Sequence, residues 1–139
     1  MSKPQVTISV LQDSGDRRGA SFKAGATWFE FLGGVAATHI TTLLPGHVRG
    51  NHYHVRGREV LVVLFMDEWQ LSWDQGASTA VCSKVFSGTG AVVVEIDPFA
   101  SHAVANTGKF SLWIVGVSNV AWDPNAPDSQ PRKVFPQSS

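Results

Sequence analysis

The sequence predicts a single all-β domain. Its 139 residues suit one domain of ordinary size. Short runs rich in branched and aromatic residues recur at intervals of roughly 8–12 residues, separated by turns that contain glycine, proline or aspartate. No window shows a sustained apolar period of 3.6 residues, which argues against long amphipathic helices. Together these observations favour a β-sandwich or a β-barrel.

The elements follow from local composition. Residues 6–11 (VTISVL) alternate branched and small side chains, whereas residues 13–19 (DSGDRRG) read as a polar loop. Pro45-Gly46 and Asp74-Gln75-Gly76 are predicted turns. In chain order, the predicted strands are 6–11, 28–32, 37–44, 51–55, 59–66, 68–73, 79–86, 91–96, 101–106 and 109–118. The proline-rich stretch from Asp123 onward predicts an extended arm, so we expect a barrel core at about residues 5–118 and an arm at 119–139.

Residues 59–66 form the strongest predicted strand. The run 60–66 is apolar on both faces. A barrel strand usually faces water on its outer side, so double-sided burial indicates a second layer or a partner subunit outside the barrel. We therefore predict a homodimer.

Charge and composition exclude several functions. Eleven basic and eleven acidic residues cancel, and a neutral domain without a basic stripe is a poor nucleic-acid binder. The N-terminal residues lack the apolar core of a secretory signal, and the longest apolar run is too short to span a bilayer. The single cysteine, Cys82, fits a reducing compartment. We expect a cytoplasmic protein with no membrane or nucleic-acid partner.

A pair of histidines in the stretch RGNHYHVRGREVLVV (residues 49–63) suggests a metal site. His52 and His54 share one face of a strand because strand side chains alternate. If residues 55–58 form a hairpin loop, His54 lies opposite Glu59 and His52 lies opposite Leu61. Neighbours across a strand pair approach to about 4.5–5.5 Å between Cβ atoms. Imidazoles and a carboxylate meeting there would suit a divalent cation.

The two histidine-containing segments resemble the two motifs of the cupin superfamily. Gly46, His52, His54 and Glu59 match the first motif, and Pro98, His102 and Asn106 match the second. The resemblance implies one cupin domain, a double-stranded β-helix or jelly-roll barrel, with a metal held by His52, His54, Glu59 and His102. Zinc is the ion that we expect first, with iron, manganese or nickel as alternatives.

Three further stretches resemble narrower groups of cupins. Asp16-Arg17-Arg18-Gly19 resembles a motif of cupins that epimerise or isomerise nucleotide-linked keto sugars. Residues 49–54 and 122–128 resemble the cupin domain of bifunctional enzymes of capsular polysaccharide synthesis. The resemblance implies epimerisation or isomerisation of a nucleotide-linked 4-keto sugar. In such a reaction a metal polarises the carbonyl and a base removes the adjacent proton.

Several residues are candidates for that chemistry. Tyr53 and His39 are the candidate bases, although Tyr53 points away from the ligand face and His39 also fits a structural role. Arg17 and Arg49 are candidates for binding a diphosphate, since the planar guanidinium matches phosphate geometry.

Two other functions remain open from the sequence. The same ligands would serve an iron-dependent oxygenase, because imidazole and carboxylate bind several first-row metals. A non-catalytic cupin that binds a sugar or another small molecule is the second alternative, because the sequence shows no clear base.

Overall fold

A computed structural model describes residues 2–24 and 27–136, which form one short helix and ten strands. The elements are β1 (Val6–Val10), α1 (Thr27–Leu32), β2 (Ala37–Leu43), β3 (Val48–His54), β4 (Glu59–Phe65), β5 (Trp69–Trp73), β6 (Cys82–Phe86), β7 (Gly90–Ile96), β8 (His102–Ala105), β9 (Leu112–Ser118) and β10 (Ser129–Pro131). Within these ranges, no helix has the length and hydropathy needed to cross a membrane.

The strands form two five-stranded antiparallel sheets. The first sheet has the order β1-β7-β4-β9-β2, and the second has the order β10-β3-β8-β5-β6. Consecutive strands β3 and β4 lie in different sheets, as expected for a jelly roll and not for a meander of hairpins. The prediction of an all-β cupin barrel is confirmed.

The main core lies between the sheets. Alternate residues of β4 point inward, so that Leu61, Val63 and Phe65 pack against Trp69 and Leu71 of the facing sheet. Trp69 is fully buried and stacks on Phe86 with ring centroids 4.6 Å apart. Burial of this apolar surface fixes the distance between the sheets and hence the space available at the end of the barrel near Glu59.

One predicted strand is wrong. Residues 28–32 lie in helix α1 and not in a strand. The helix has only six residues, too few to show a 3.6-residue period in the sequence. Several other strands are shorter than predicted, as with β6, which begins at Cys82 instead of residue 79.

Helix α1 explains the apolar outer face of β4. Leu32 of the helix packs with Val60, Val93 and Val117 in a second cluster outside the first sheet. The chain therefore supplies its own cover for part of this face. The homodimer, which was inferred from that face, stays a prediction.

The C-terminal segment (residues 119–136) is tied to the second sheet. Its strand β10 pairs with β3, with Ser129 opposite His54. The Arg132 side chain donates two hydrogen bonds to the Asp74 carboxylate, at 2.8 and 2.9 Å. Its guanidinium also lies 4.3 Å from the Tyr53 ring centroid, a cation–π contact. The predicted arm is thus an integral part of the fold.

The Arg132–Asp74 pair makes a testable contribution to stability. The Asp74 side chain is only 5% exposed, so Arg132→Leu leaves a buried carboxylate without its cation. We expect the free energy of unfolding to fall by about 3 kcal/mol, measured by urea denaturation.

Arg18→Leu is the matched control, because the Arg18–Asp16 pair is as short, at 2.6 Å, but exposed. It should leave stability nearly unchanged, since exposed pairs contribute little. Equal effects of the two variants would contradict the importance of the C-terminal segment for the fold.

Candidate metal centre

The four predicted ligands converge, but not by the predicted route. His52 and His54 come from β3 and His102 from the adjacent β8, whereas Glu59 comes from β4 in the facing sheet. The expected hairpin, with His54 opposite Glu59 and His52 opposite Leu61, is wrong. His52 instead pairs with His102, and Glu59 pairs with Ile96 and Ser118. The cluster is therefore assembled across the barrel interior.

A β-bulge in β3 sets the register of the histidines. Gly50 pairs with Ala103, but the next paired residue is His52, which lies opposite His102. Gly50 and Asn51 have φ angles of 106° and 59°, in the left-handed region that suits a bulge. A Cβ at Gly50 would collide with the backbone of β8. Glycine is therefore required at this position for β3 to approach β8.

The bulge also places Arg49 on the same face as the histidines. Arg49 pairs with Val104, which points into the barrel as His102 does. Simple alternation would put residues 49 and 52 on opposite faces. The extra residue of the bulge shifts the alternation by one position, so that Arg49 and His52 border the same cleft.

The ligand atoms of the four residues lie within 4.8 Å of one another. Glu59 Oε1 lies 3.3 Å from His102 Nε2 and 3.5 Å from His54 Nε2. Of the residues that the structure describes, these four form the group that could hold a metal ion.

Each of the three imidazoles also has a partner outside the cluster. His102 Nδ1 lies 3.2 Å from the Ala100 carbonyl oxygen, and His54 Nδ1 lies 3.6 Å from Asp128 Oδ2. His52 makes a backbone hydrogen bond with Gly50. Ligating histidines commonly hold their second nitrogen in this way.

His54 Nε2 is buried and has no hydrogen-bond partner. A buried ring nitrogen that faces two other imidazoles and a carboxylate fits a cation as its missing partner. The residues present therefore fit a divalent metal.

Burial and mutual contacts perturb the protonation of the cluster. Burial, together with the neighbouring His102 and His54, lowers the pKa of His52 to about 4, which keeps it neutral and able to ligate. Burial alone would raise the pKa of Glu59, but its histidine contacts hold that pKa well below the ordinary value. Burial opposes the charged form of His54, yet Glu59 and Asp128 raise its pKa.

A fifth residue, His39 of β2, lies beside the cluster. Its Nε2 is 3.6 Å from Glu59 Oε2, the carboxylate oxygen not shared with His54 and His102. The interaction of its ring N–H with the Glu59 carboxylate raises the pKa of His39, against the effect of burial. The His39 side chain is 53% exposed, so it joins the cluster to solvent.

Gly116 makes room for the His39 ring. The two residues pair across β2 and β9. A Cβ at position 116 would overlap His39 Nε2, Cε1 and Cδ2. The missing side chain of Gly116 is what allows the imidazole to lie across β9 toward Glu59.

An open cleft leads to the cluster. One part, about 490 Å³ in volume, lies between β2 and β3 and is bordered by Arg49, Thr41 and Leu61. A second part, about 240 Å³, is walled by the C-terminal segment. His39, His52 and Glu59 border both parts, so the candidate metal centre lies where they meet.

The other two predicted residues lie elsewhere. Arg17 is exposed on the loop closed by the Asp16–Gly19 and Asp13–Phe22 bridges, and it does not border either part of the cleft. Tyr53 stacks against Phe99, with ring centroids 6.0 Å apart, on the outer side of the second sheet. Neither side chain is brought to the cluster.

Sequence reasoning missed Asp128 and Gly116. In the sequence, Asp128 is only the last residue of the stretch 122–128, and nothing local links it to His54, some seventy residues earlier. The bulge in β3 could have been predicted from the Gly50-Asn51 pair, since both residues tolerate the positive φ angles that a bulge requires.

Comparison with known proteins supports a shared architecture. The family described as polysaccharide biosynthesis C-terminal domain matches residues 15–130. No curated protein sequence gives a significant match. CapF, a capsular polysaccharide assembling protein from Staphylococcus aureus, has a TM-score of 0.64 and 21% identity, over 89% of this chain and 34% of CapF. The chain thus spans about a third of the length of CapF.

Two smaller proteins also share the fold. ChmJ, a 3'-monoepimerase from Streptomyces bikiniensis crystallised with dTDP, has a TM-score of 0.74 and 13% identity, over 94% of this chain and 70% of its own. The 3,4-ketoisomerase QdtA from Thermoanaerobacterium thermosaccharolyticum, crystallised as a mutant with TDP-4-keto-6-deoxyglucose, has a TM-score of 0.65 and 15% identity, over 90% of this chain and 86% of its own. Because the family match covers most of the sequence, this cupin-fold chain belongs to the polysaccharide biosynthesis C-terminal domain family.

Proposed function

We propose that the protein is a metal-dependent epimerase or isomerase of a nucleotide-linked keto sugar in polysaccharide biosynthesis. The observation that carries this proposal is the meeting of three imidazoles and one buried carboxylate at the base of an open cleft, with the exposed His39 beside them. The family match supports the polysaccharide context. The nucleotide-sugar ligand of the similarly folded QdtA supports the substrate class.

The ligand set suits a divalent cation held by His52, His54, Glu59 and His102. Three imidazoles and a carboxylate favour zinc, with iron, manganese and nickel as alternatives. The bound cation would supply Lewis-acid polarisation of a sugar carbonyl.

His39 is the proposed base. With the Nε2 proton directed at Glu59 Oε2, Nδ1 is left as the basic atom, 3.5 Å from Thr41 Oγ1. This atom would accept the hydrogen, as a proton, from the carbon next to the sugar carbonyl. A proton from solvent then returns to that carbon or, in an isomerisation, to the former carbonyl carbon, and His39 releases the proton that it accepted to solvent. Glu59 would serve two sites, with Oε1 in the metal cluster and Oε2 orienting the base.

Arg49 is the proposed contact for the diphosphate. It is exposed at the cleft, and its Nε donates to the Thr42 carbonyl at 3.1 Å, which holds the guanidinium beside the cleft. A planar guanidinium binds phosphate oxygens in a bidentate manner. Arg17 would have to reach the nucleotide portion of the substrate outside the cleft, and Tyr53 takes no part in the proposed chemistry.

Metal binding should release protons. Since the pKa of His54 is raised, its ring keeps a proton to higher pH than an ordinary histidine does, and the cation must displace that proton in order to bind. Calorimetric titration of metal-free protein with Zn²⁺, in two buffers of different ionisation enthalpy, should show net release. The affinity should also rise as the pH is raised above the ordinary pKa of histidine, about 6.5. Affinity that does not depend on pH would contradict the ligand assignment.

The proposed reaction should exchange hydrogen with solvent. Incubation of the metal-loaded protein with TDP-4-keto-6-deoxyglucose, or with a UDP-linked 4-keto sugar, in heavy water should add deuterium next to the carbonyl, detected by mass spectrometry. His39→Gln should slow the exchange by about 10²–10⁴-fold, as expected for loss of a positioned base. Substrate affinity should change far less, because the other residues bordering the cleft remain in place.

Thr38→Gln is the control for this experiment. Thr38 is an exposed residue one position from His39, and it points to the opposite face of β2. Absence of exchange in every metal form would reject the proposed reaction. Tight sugar binding without exchange would then indicate a binding protein, and oxygen uptake that depends on Fe²⁺ would indicate an oxygenase.

Gly116→Ala should displace His39 without removing it. The added methyl group would occupy the space of the imidazole, so the ring must leave Glu59. We expect slower exchange with retained metal content, and a crystal structure should show the rotated ring. Gly34→Ala is the matched control, because nothing lies within 4 Å of a Cβ there. Unchanged exchange in Gly116→Ala would argue against His39 as the base.

A further inference from the structure

The C-terminal segment contributes a carboxylate to the surroundings of the candidate metal centre. Asp128 Oδ2 lies 3.6 Å from His54 Nδ1, while His54 Nε2 faces the cluster, 3.5 Å from Glu59 Oε1. The imidazole thus lies between two carboxylates, one inside the cluster and one outside it. This is the arrangement that fixes ring orientation in metal sites of the carboxylate–histidine–metal type.

Asp128 is itself held in place. Its carboxylate accepts hydrogen bonds from the backbone N–H groups of Arg56 and Gly57, at 2.8 and 2.9 Å. Its side chain is 12% exposed. A Cβ at Gly57 would lie 2.8 Å from Asp128 Oδ2 and 3.3 Å from Val120 Cγ2. The lack of a side chain at position 57 is therefore what lets the carboxylate approach the loop that follows His54.

The rest of the C-terminal segment keeps Asp128 at this position. Strand β10, which starts at the next residue, pairs with β3, and the Asn51 side chain bonds the backbone of Val134 and Phe135. Asn51 belongs to the bulge that places His52 opposite His102. The segment is consequently hydrogen-bonded to β3, the strand that carries the candidate ligands His52 and His54.

We propose that Asp128 is a positioning residue that fixes the His54 ring for metal binding, so that metal affinity depends on the C-terminal segment. This inference rests on the metal site of the proposed function, but not on the proposed reaction. The carboxylate acts through His54 and need not touch the metal or the substrate.

Asp128→Asn tests the inference with Zn²⁺ alone. Affinity measured by competition with a chromophoric chelator should fall by about 10- to 100-fold, the usual effect of losing such a partner. The absorption bands of the Co²⁺-substituted protein should change, since the His54 ring is no longer held. Thermal unfolding of the metal-free variant checks that the fold persists.

Gly57→Ala provides a second, independent variant. It keeps the carboxylate but displaces it, so it should also weaken Zn²⁺ binding, and it should add little in an Asp128→Asn background. Asp67→Asn is the matched control. Asp67 likewise accepts a hydrogen bond from a backbone N–H, that of Lys109, at 2.9 Å. It lies just after the C-terminal end of β4, whereas Glu59 is the first residue of that strand.

His102→Ala separates the possible failures. If His102→Ala loses the metal while Asp128→Asn keeps full affinity and unchanged Co²⁺ bands, the role of Asp128 is wrong and the metal site stands. If His102→Ala binds Zn²⁺ as the parent does, the metal site itself is wrong and both proposals fall. A lower unfolding temperature for Asp128→Asn with unaltered Zn²⁺ affinity would likewise overturn the inference.

Discussion

The buried carboxylate of Glu59 is the group on which the functional end of the barrel depends. It is 7% exposed in a barrel whose interior is otherwise largely apolar, and an unpaired charge in such a place is strongly unfavourable. Its two oxygens are contacted by histidines from β2, β3 and β8. Compensation of this negative charge therefore requires side chains from both sheets to meet around Glu59. The same charge favours the binding of protons or of a cation there.

The two carboxylate oxygens of Glu59 face different groups, and this links metal binding to the reactivity of His39. Oε1 faces His54 and His102 within the candidate metal centre, whereas Oε2 faces His39 at the cleft. A cation that withdraws negative charge from the carboxylate at Oε1 would weaken the interaction of Oε2 with the His39 Nε2–H group. In the proposed reaction, occupancy of the metal site would thus influence the protonation of the base, and this coupling needs no movement of the backbone.

Much of the fold and the residues of the candidate metal centre could be predicted from sequence, because spacing and alternation are local properties. Alternation correctly gave His52 and His54 a common face, and the second motif supplied His102. Alternation cannot show which sheet a strand joins, and for this reason it predicts β4 beside β3, although β4 lies in the facing sheet. The Asp128–His54 contact joins distant parts of the chain and leaves no periodic signal. Helix α1 is too short for its period to be seen.

The bulge in β3 shows how one added residue can define a site. Without it, the register of Gly50 with Ala103 would place Asn51 opposite His102, and Arg49 and His52 would face different sides of the sheet. With it, Arg49, His52 and His54 share the cleft. Asparagine tolerates the positive φ at position 51 better than most residues do, but contacts to its side chain still help to hold this conformation. Those contacts come from the C-terminal segment, through the Asn51 side chain. The bulge and the segment that carries Asp128 therefore form one structural unit. Within it, Gly50 and Asn51 set the register of the candidate ligands His52 and His54, and the Asn51 side chain anchors the C-terminal segment next to them.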